Sequence, residues 1–348
     1  MKNLDSKKSL KNNFKKKVAI IIPCFKVRND LDLLIQNIER NLLLINENFS
    51  YKIILVDDGC PFQSYKKIKE SPKVLVLHNK VNLGVGAATI NGIRYALKSE
   101  FDFLIKLDAD GQHPPKYLKQ LIPYIFKLPK YKLFLTKGNR YKFKMYKSYI
   151  PILRRLGTLF LDPMARAALC YRGLSDTTNG FIAMDSITAK ILISTKYGNK
   201  LEERYLFESS LLAKCSQVGV TLNEFCMMPI YTKDWYSSMN SLKMIFPLFF
   251  FWTKTAFLRI FNEYFLKFNL GSILIVISFS TFSVSQLLLF KKVLPEIYKG
   301  VYVTAGNSSG FTSSALLGII SFVLFLFYDY FSGTKTNLIF FKSILDEN

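Results

Sequence analysis

Short apolar runs alternate with amphipathic stretches along the first third of the chain. The runs at residues 18–22, 51–56, 74–78 and 103–107 are rich in Val, Ile and Leu and predict buried strands. Helical patterns over 30–45 and from 82 to about 98, with a lysine-rich helix after the second strand, separate them. This rhythm predicts a mostly parallel sheet with helices on both faces, so the fold class is α/β.

The alternation continues to about residue 231. A helix is predicted over 116–126, a strand over 132–136 and a long helix over 150–168. Residues 175–181 predict a turn into a strand, followed by a helix over 202–214 and a strand over 220–231. The carboxyl ends of parallel strands form the edge of a sheet at which ligands bind, and polar residues follow several of these strands.

The pattern changes after residue 240. Residues 241–268 are aromatic with interleaved Lys and Arg, which predicts amphipathic helices in a membrane interface; a core-packing helix is the alternative. Residues 269–290 carry no charge and predict a transmembrane span over about 270–290. A second span is predicted over about 312–331. Two spans with a short connection place both flanking segments on the same side of the membrane.

These patterns divide the chain into a basic arm (1–16), an α/β domain (17–240), interfacial helices (241–268) and a membrane domain (269–348). The 348 residues include 48 Lys and Arg against 25 Asp and Glu, a net charge of +23, and half are hydrophobic. This combination favours an anionic membrane as partner, with a Lys-rich composition bias as the alternative. No module typical of nucleic-acid binding is present, so a nucleic-acid partner is not expected.

The terminal segments and the cysteines indicate the compartment. No apolar segment precedes the first strand, so no secretory signal peptide is expected. Lysines in the N-terminal part favour a cytoplasmic catalytic domain on a multi-pass protein of the inner cell membrane. The five cysteines form no C-x-x-C motif, which argues against a disulfide framework or a zinc site and fits a reducing compartment.

The strongest chemical signal is the stretch Lys-Leu-Asp-Ala-Asp-Gly-Gln-His at 106–113. Asp108 and Asp110 follow a predicted strand one residue apart, with Gln112 close behind. Paired carboxylates at a sheet edge are oxygen ligands that suit Mg²⁺ or Mn²⁺. A polar turn after a strand is the alternative for an isolated D-x-D. Three other signals at predicted strand ends, namely Pro23, Asp57-Asp58 and residues 82–86, favour the site.

Six motifs together resemble an inverting family 2 glycosyltransferase of the GT-A fold: PCFK, VDDG, NLGVGAATINGIRYA, LDADGQHPP, GNRY and SDTTNGF. Their order and spacing are similar to the polyprenyl-phosphate sugar transferase branch, which includes dolichol-phosphate mannosyltransferases and bactoprenol glucosyltransferases. The resemblance covers residues 16–240, and the two-span tail is similar too. It implies a Rossmann-like catalytic domain, a nucleotide-sugar donor, a polyprenyl phosphate acceptor and a divalent metal.

The resemblance assigns residues to the donor and the metal. Those implied to contact the donor are Pro23, Phe25, Val56, Asp57, Asp58, Gly84, Asp108, Ala109 and Lys233. The metal ligands are Asp108, Asp110 and Gln112. Phe25 replaces the usual Tyr, and Met239 replaces a basic residue of mannosyl enzymes. Val27 replaces an acidic residue, so that contact is missing or moves to Asp30. The last two departures favour UDP over GDP. The glycines at 84 and 86 allow either close approach to a ligand or a plain helix-entry turn.

The catalytic residues are predicted to be Asp110, Arg140 as a phosphate-binding group, and Glu208 as the general base that a hydroxyl acceptor requires. A salt-bridged helix position is the alternative for Glu208. Acceptor binding is assigned to Arg154, Arg155 and Asp176, with solvation and turn capping as alternatives. His113 is predicted to be a turn residue rather than a ligand.

The leading hypothesis is a glycosyltransferase that moves one sugar to a polyprenyl phosphate at the cytoplasmic face. The absence of a Q-x-x-R-W motif argues against a processive polymerase. One rival transfers the sugar to a hydroxyl of a lipid or glycan, and another is a membrane scaffold without activity. Whether the protein forms a homo-oligomer stays open.

Overall fold

The computed structural model describes residues 15–27, 31–129, 131–142, 150–196, 200–228 and 241–339. The chain divides into two compact units. The first comprises Met1–Arg155, Ser175–Ser241 and Asn337–Asn348; the second comprises Leu156–Leu174 and Leu242–Thr336. Arg28 to Asp30, Lys233 and Met239 lie outside the described residues, so the predictions for Asp30, Lys233 and Met239 stay predictions.

An eight-stranded sheet forms the first unit within the described ranges, in the order β10-β8-β5-β7-β4-β1-β2-β3. Its strands are β1 (Lys16–Cys24), β2 (Phe49–Asp57), β3 (Val74–His78), β4 (Phe103–Lys106), β5 (Phe134–Asn139), β7 (Ile182–Asp185), β8 (Thr221–Cys226) and β10 (Asn337–Ile339). All pairings are parallel except those of β7, which runs antiparallel to β4 and β5. The α/β prediction with a mostly parallel sheet is therefore confirmed.

Helices connect and cover these strands: α1 (Leu31–Leu43), α2 (Val85–Lys98), α3 (Leu118–Lys127), the start of α4 (Ile152–Leu169), α5 (Ser186–Ile193) and α6 (Phe207–Gln217). The inner face of α1 buries Leu31, Ile35, Ile38 and Leu42 in the same core as β1 and β2. The predicted lysine-rich helix is only a 3₁₀ turn at Ser64–Lys67. Pro61 and Pro72 flank this segment.

The last strand enters the sheet from the far end of the chain. Residues 337–339 of β10 pair in register with 223–225 of β8. The predicted membrane domain includes this tail, and its three residues carry no pattern that indicates strand pairing. The C-terminal part of the chain therefore returns to the sheet after the apolar helices.

The second unit contains the apolar helices, beginning with α7 (Ser241–Ile260) and a π-helical turn at Phe261–Leu266. Then follow α8 (Leu270–Leu288), a π turn at Leu289–Val293, α9 (Leu294–Tyr298) and α10 (Ala305–Ser332). Three stretches are long and apolar enough to cross a membrane: Lys243–Leu266, Leu270–Tyr298 and Ala305–Ser332. The two predicted spans fall in the second and third, and the first coincides with the predicted interfacial segment. The short pair β6 (Tyr171–Arg172) and β9 (Thr334–Lys335) also belongs here.

Small polar side chains join α8 to α10. The Ser278 hydroxyl donates to the Gly318 carbonyl over 3.0 Å, and a Cβ at position 318 would lie 3.0 Å from Thr281 Oγ1. Small residues at such crossings allow the two backbones to approach closely. One ion pair joins α7 to α10, since both Arg259 Nη atoms donate to the carboxylate of Asp329 at 2.7 and 2.8 Å.

Candidate active site

A buried lysine organises the acidic centre at the carboxyl end of β4. Lys106 Nζ lies 2.6 Å from Asp108 Oδ1 and 2.9 Å from Glu208 Oε1, and the Lys106 side chain is only 2% exposed. Burial alone would lower the pKa of Lys106, but the two carboxylates outweigh it and raise the pKa. The amine therefore stays charged and holds Glu208, from α6, beside the D-x-D.

The two aspartates of the D-x-D differ in their electrostatics. Burial would raise the pKa of Asp108, but the nearby Lys106 overcomes it and lowers that pKa. Asp110 has its pKa raised to about 6, first by burial and then by repulsion from Asp108. Its Oδ1 accepts the backbone N–H of Gln112 at 3.0 Å. The pair thus concentrates negative charge, and Lys106 is in direct contact with Asp108.

The donor set suits a hard divalent cation. Asp108 and Asp110 supply carboxylate oxygens, and Lys106 occupies only Oδ1 of Asp108. A bound cation would relieve the charge repulsion between these two carboxylates. Gln112 is buried next to them. The residues therefore fit Mg²⁺ or Mn²⁺ as predicted, and their assignment as ligands stays a prediction.

His113 orients Asp108 rather than titrating. Its Nδ1 accepts the Asp108 backbone N–H at 3.0 Å, which leaves the ring proton on Nε2. The ring is buried, and burial lowers the pKa of His113 to about 4. At neutral pH it is therefore uncharged, which suits the predicted role as a turn residue.

Arg140 and Asp176 form a second charged pair at the same edge. Arg140 follows β5 and donates from Nε to Asp176 Oδ2 at 2.9 Å and from Nη2 to Oδ1 at 2.6 Å. The Arg140 backbone N–H also donates to Oδ2 at 2.8 Å. Asp176 therefore orients the guanidinium that was assigned to phosphate binding, and its own assignment to the acceptor stays a prediction.

A buried network lies directly behind this pair. Lys137 Nζ contacts Glu224 Oε1 at 3.1 Å and donates to the Ser175 carbonyl at 2.8 Å. Asn139 bridges Glu224 Oε2 and the Ser175 hydroxyl at 3.0 and 2.8 Å. Fully hydrogen-bonded polar networks fix one arrangement of a core. This one fixes the segment that carries Asp176.

Most of the residues assigned to the donor are buried, and the others that the structure describes are half-buried. Phe25 is half-buried at the end of β1, whereas Pro23, Val56 and Ala109 are buried in the sheet and its edge. Asp58 receives the Asn79 side-chain amide at 2.8 Å and the backbone N–H groups of residues 83 and 84 at 3.0 and 2.7 Å. Its carboxylate therefore holds the loop before α2 in place.

The backbone conformation and a close neighbouring segment explain the glycine at position 84. Its φ is +105°, and a Cβ there would lie 2.5 Å from the Glu203 carbonyl oxygen. Gly86 meets the same segment, since its Cβ would lie 2.4 Å from the carbonyl oxygen of Glu202. The close backbone approach at these glycines is therefore between two parts of the chain, and the predicted contact of Gly84 with the donor stays a prediction.

The first turn of α4 carries the two arginines assigned to the acceptor. Arg154 and Arg155 are half-buried, and the Arg154 carbonyl accepts from the Tyr141 hydroxyl at 3.4 Å. The positive charge of Arg154 counteracts the rise in the Asp110 pKa. The structure thus brings Arg154 within electrostatic reach of the D-x-D.

Lys106 is the site residue to which the sequence assigned no role. Its partner Glu208 lies 102 residues away, so no local spacing could reveal the contact. The one available signal was a lysine at the end of an otherwise apolar strand that ends in a D-x-D, because a buried lysine requires a partner.

The carboxyl edge of the mostly parallel sheet thus gathers two carboxylates, a buried lysine and an oriented arginine. Residues 19–175 match the family model described as Glycosyl transferase family 2. This match confirms the predicted resemblance to family 2 glycosyltransferases and the prediction that the chain is a glycosyltransferase.

Three named proteins are similar to this chain. The chain is 26% identical over 252 residues to the UDP-N-acetylglucosamine–dolichyl-phosphate N-acetylglucosaminyltransferase of Methanococcus voltae, covering 68% of this chain and 94% of that one. It is 28% identical over 227 residues to a dolichol-phosphate mannosyltransferase of Pyrococcus furiosus, covering 60% and 61%. A solved mannosyl-3-phosphoglycerate synthase from Rubrobacter xylanophilus is 13% identical, covers 73% and 77%, and has a TM-score of 0.48.

Proposed function

We propose that this protein transfers one sugar from a nucleotide sugar to a polyprenyl phosphate, with inversion, at the cytoplasmic face of the cell membrane. The observation that carries the proposal is the cluster of Asp108, Asp110, Lys106 and Glu208 at the carboxyl edge of the sheet, in a chain with membrane-length apolar helices. Two relatives whose names specify a dolichyl or dolichol phosphate support this acceptor class.

The residues at the carboxyl edge would have different roles at the bond that breaks. Asp108 and Asp110, with Gln112, would hold Mg²⁺ or Mn²⁺, which when bound supplies positive charge to the departing diphosphate. Arg140, oriented by Asp176, would contact a phosphate of the same donor. An oxygen of the acceptor phosphate attacks the anomeric carbon, and the electron pair of the broken bond leaves with the nucleoside diphosphate.

The pairing of Glu208 favours a phosphate acceptor. A hydroxyl must lose a proton as it attacks, so it needs a basic carboxylate within reach. Glu208 instead contacts the buried amine of Lys106 at 2.9 Å, so one of its oxygens already accepts a hydrogen bond from a cation. A phosphate acceptor is already anionic and needs no base.

Helix α4 suits a lipid acceptor. Next to its two arginines it exposes an apolar face of Ile152, Leu153, Leu156, Leu159 and Phe160. Apolar side chains beside cationic ones are typical of helices that enter a membrane interface. Arg154 and Arg155 would then meet the phosphate of a polyprenyl chain whose hydrocarbon stays in the bilayer.

Strand pairing constrains the membrane topology. Because β10 pairs with β8, the chain before α7 and after α10 lies on the same side of the membrane. The number of crossings between them is therefore even. The antiparallel helices α8 and α10, joined by the Ser278–Gly318 contact, account for two. Although Lys243–Leu266 has the length to cross, it would lie in the interface, with Lys254 and Arg259 near the headgroups.

Epitope insertion tests this topology. A tag inserted after Gly300, between α9 and α10, is expected to be reached by antibody on intact bacterial spheroplasts, which have lost the outer membrane. A tag inserted immediately before Ser241 is expected to be reached only after the spheroplasts are lysed. Detection of the second tag on intact spheroplasts would contradict the two-crossing arrangement and the cytoplasmic catalytic domain.

Lipid labelling tests the reaction. Membranes containing the wild-type protein are incubated with Mg²⁺ or Mn²⁺ and radiolabelled UDP-sugars, then GDP-sugars, and the organic phase is counted. Label is expected in the lipid phase for at least one donor and should fall at least about 100-fold in Asp110→Asn, since a preorganised charge of this kind contributes that much to a rate. Asp185→Asn, a buried helix cap away from the edge, is the control and should retain activity. No lipid label with any donor would contradict the proposal.

Glu208→Gln separates the two acceptor classes. With a phosphate acceptor the variant should retain lipid labelling within about tenfold, because no proton is transferred. A loss of about 100-fold or more, in a variant that melts like the wild type, would favour general-base catalysis and a hydroxyl acceptor.

A further inference from the structure

Two cysteines that are 36 residues apart in sequence converge beside an aspartate at the other end of the catalytic edge. In the β1–β2 register Cys24 lies directly opposite Asp57, and Cys60 lies in the turn that follows β2. One ligand atom of each, two sulfurs and a carboxylate oxygen, lie within 4.8 Å of one another. Neither cysteine forms a disulfide. The absence of a C-x-x-C motif therefore does not exclude a metal centre here.

Backbone hydrogen bonds hold the three groups in place. The Cys60 N–H donates to Asp57 Oδ1 at 3.1 Å, and the Lys26 N–H donates to Cys60 Sγ at 3.2 Å. The Asp58 N–H donates to the Cys24 carbonyl at 2.9 Å, which fixes the end of β1 against the turn. The ligand geometry is therefore built into the fold rather than left to flexible side chains.

The side chains of all three residues are buried. Cys24 is 0%, Cys60 4% and Asp57 4% exposed. His78 contributes an outer contact, since its Nδ1 lies 3.4 Å from Asp57 Oδ2. Carboxylate ligands of metal sites are commonly held by such outer partners.

We propose that Cys24, Asp57 and Cys60 form a binding site for a thiophilic divalent cation, with Zn²⁺ as the best match. Thiolates select zinc over magnesium or manganese, and two sulfurs with one carboxylate provide three of the four ligands of a tetrahedral centre. The fourth position is left for water or a ligand donor atom. This site is chemically distinct from the all-oxygen D-x-D, so the two would select different metals.

The location predicts a consequence that rests on the proposed function. Asp57 is one of the residues that the family resemblance assigns to the donor. A cation bound by Asp57 would compete with a nucleotide sugar there. Zinc at this site is therefore expected to inhibit transfer, whereas Mg²⁺ at the D-x-D supports it.

Cobalt substitution tests the site without reference to activity. The full-length protein, reduced and in detergent with excess Mg²⁺, is titrated with Co²⁺. Thiolate ligation gives a charge-transfer band and visible d–d bands, and both are expected to saturate at one equivalent. Zn²⁺ should abolish them, whereas further Mg²⁺ should not. A wild-type protein without these bands would overturn the proposal.

Matched variants assign the ligands. Cys60→Ser, in the turn, is expected to lose at least half of the charge-transfer intensity. Cys24→Ala is expected to lose a similar fraction. Cys215→Ser is the control, because Cys215 is buried in α6 and belongs to no such cluster among the described residues. Melting curves without metal show whether each variant folds. Bands that persist unchanged in folded Cys60→Ser would overturn the assignment, whether or not the enzyme transfers sugar.

Discussion

Replacing Asp176 by Asn removes one charge from a fully buried ion pair and changes little else. Asp176 has a φ of +56°, a left-handed conformation that Asn also adopts. Burial alone would raise the pKa of Asp176, but the Arg140 guanidinium outweighs it and holds the pKa at about 2, against 3.8 ordinarily. That difference corresponds to about 2–3 kcal/mol. Leaving Arg140 buried without its partner brings the expected loss of stability to about 3–5 kcal/mol.

Thermal melting in detergent measures this loss. At neutral pH, Asp176→Asn is expected to melt roughly 6–15 °C below the wild type. Because the folded-state pKa lies below the unfolded value, the contribution is fully present above about pH 4 and disappears as the pH falls towards 2. The difference between wild type and variant should therefore shrink over that interval.

Asp185→Asn provides the matched control for this measurement. Asp185 is also a buried carboxylate, but it caps α5 by accepting the Thr188 N–H at 2.8 Å, and Asn caps a helix almost as well. Its melting temperature should stay within roughly 2 °C of the wild type. If Asp176→Asn melted as high as Asp185→Asn, the assigned strength of the Arg140 pair would be refuted.

Two further variants test the packing of the catalytic edge. Lys106→Met should lower the melting temperature by an amount similar to Asp176→Asn. Adding Glu208→Gln should recover part of that loss, because one of the two carboxylates left without the lysine becomes neutral. No recovery would contradict the pairing of Lys106 with both carboxylates. Gly84→Ala should destabilise the protein more than Gly219→Ala, since both have positive φ but only the first would place a Cβ 2.5 Å from the Glu203 oxygen. Equal melting of these two alanine variants would refute a steric role at 84.

Local patterns predict the strands and the acidic edge because each is encoded within a few residues. Buried parallel strands read as continuous Val, Ile and Leu runs, and the polar residues after them reach one edge by the rules of parallel pairing. Asp108 and Asp110 could therefore be found from sequence. The apolar spans could be found as well, because a length of about 20 uncharged residues is itself the signal.

Contacts between distant segments could not be predicted in this way. Lys106 meets Glu208 across 102 residues, and Cys24 meets Cys60 only because β1 and β2 are neighbours. Arg140 was expected to face a phosphate, but its partner Asp176 was not expected. The three residues of β10 do not specify, by their sequence alone, that they pair with β8.

Identifying both products distinguishes transfer to a lipid phosphate from every alternative. The purified wild-type protein is given Mg²⁺, a polyprenyl phosphate and the active donor, and lipid and nucleotide products are measured by mass spectrometry. We expect a lipid monophosphate heavier by one sugar residue and an equal amount of nucleoside diphosphate. A nucleoside monophosphate product, or sugar attached to an acceptor hydroxyl with the lipid phosphate unchanged, would contradict this expectation.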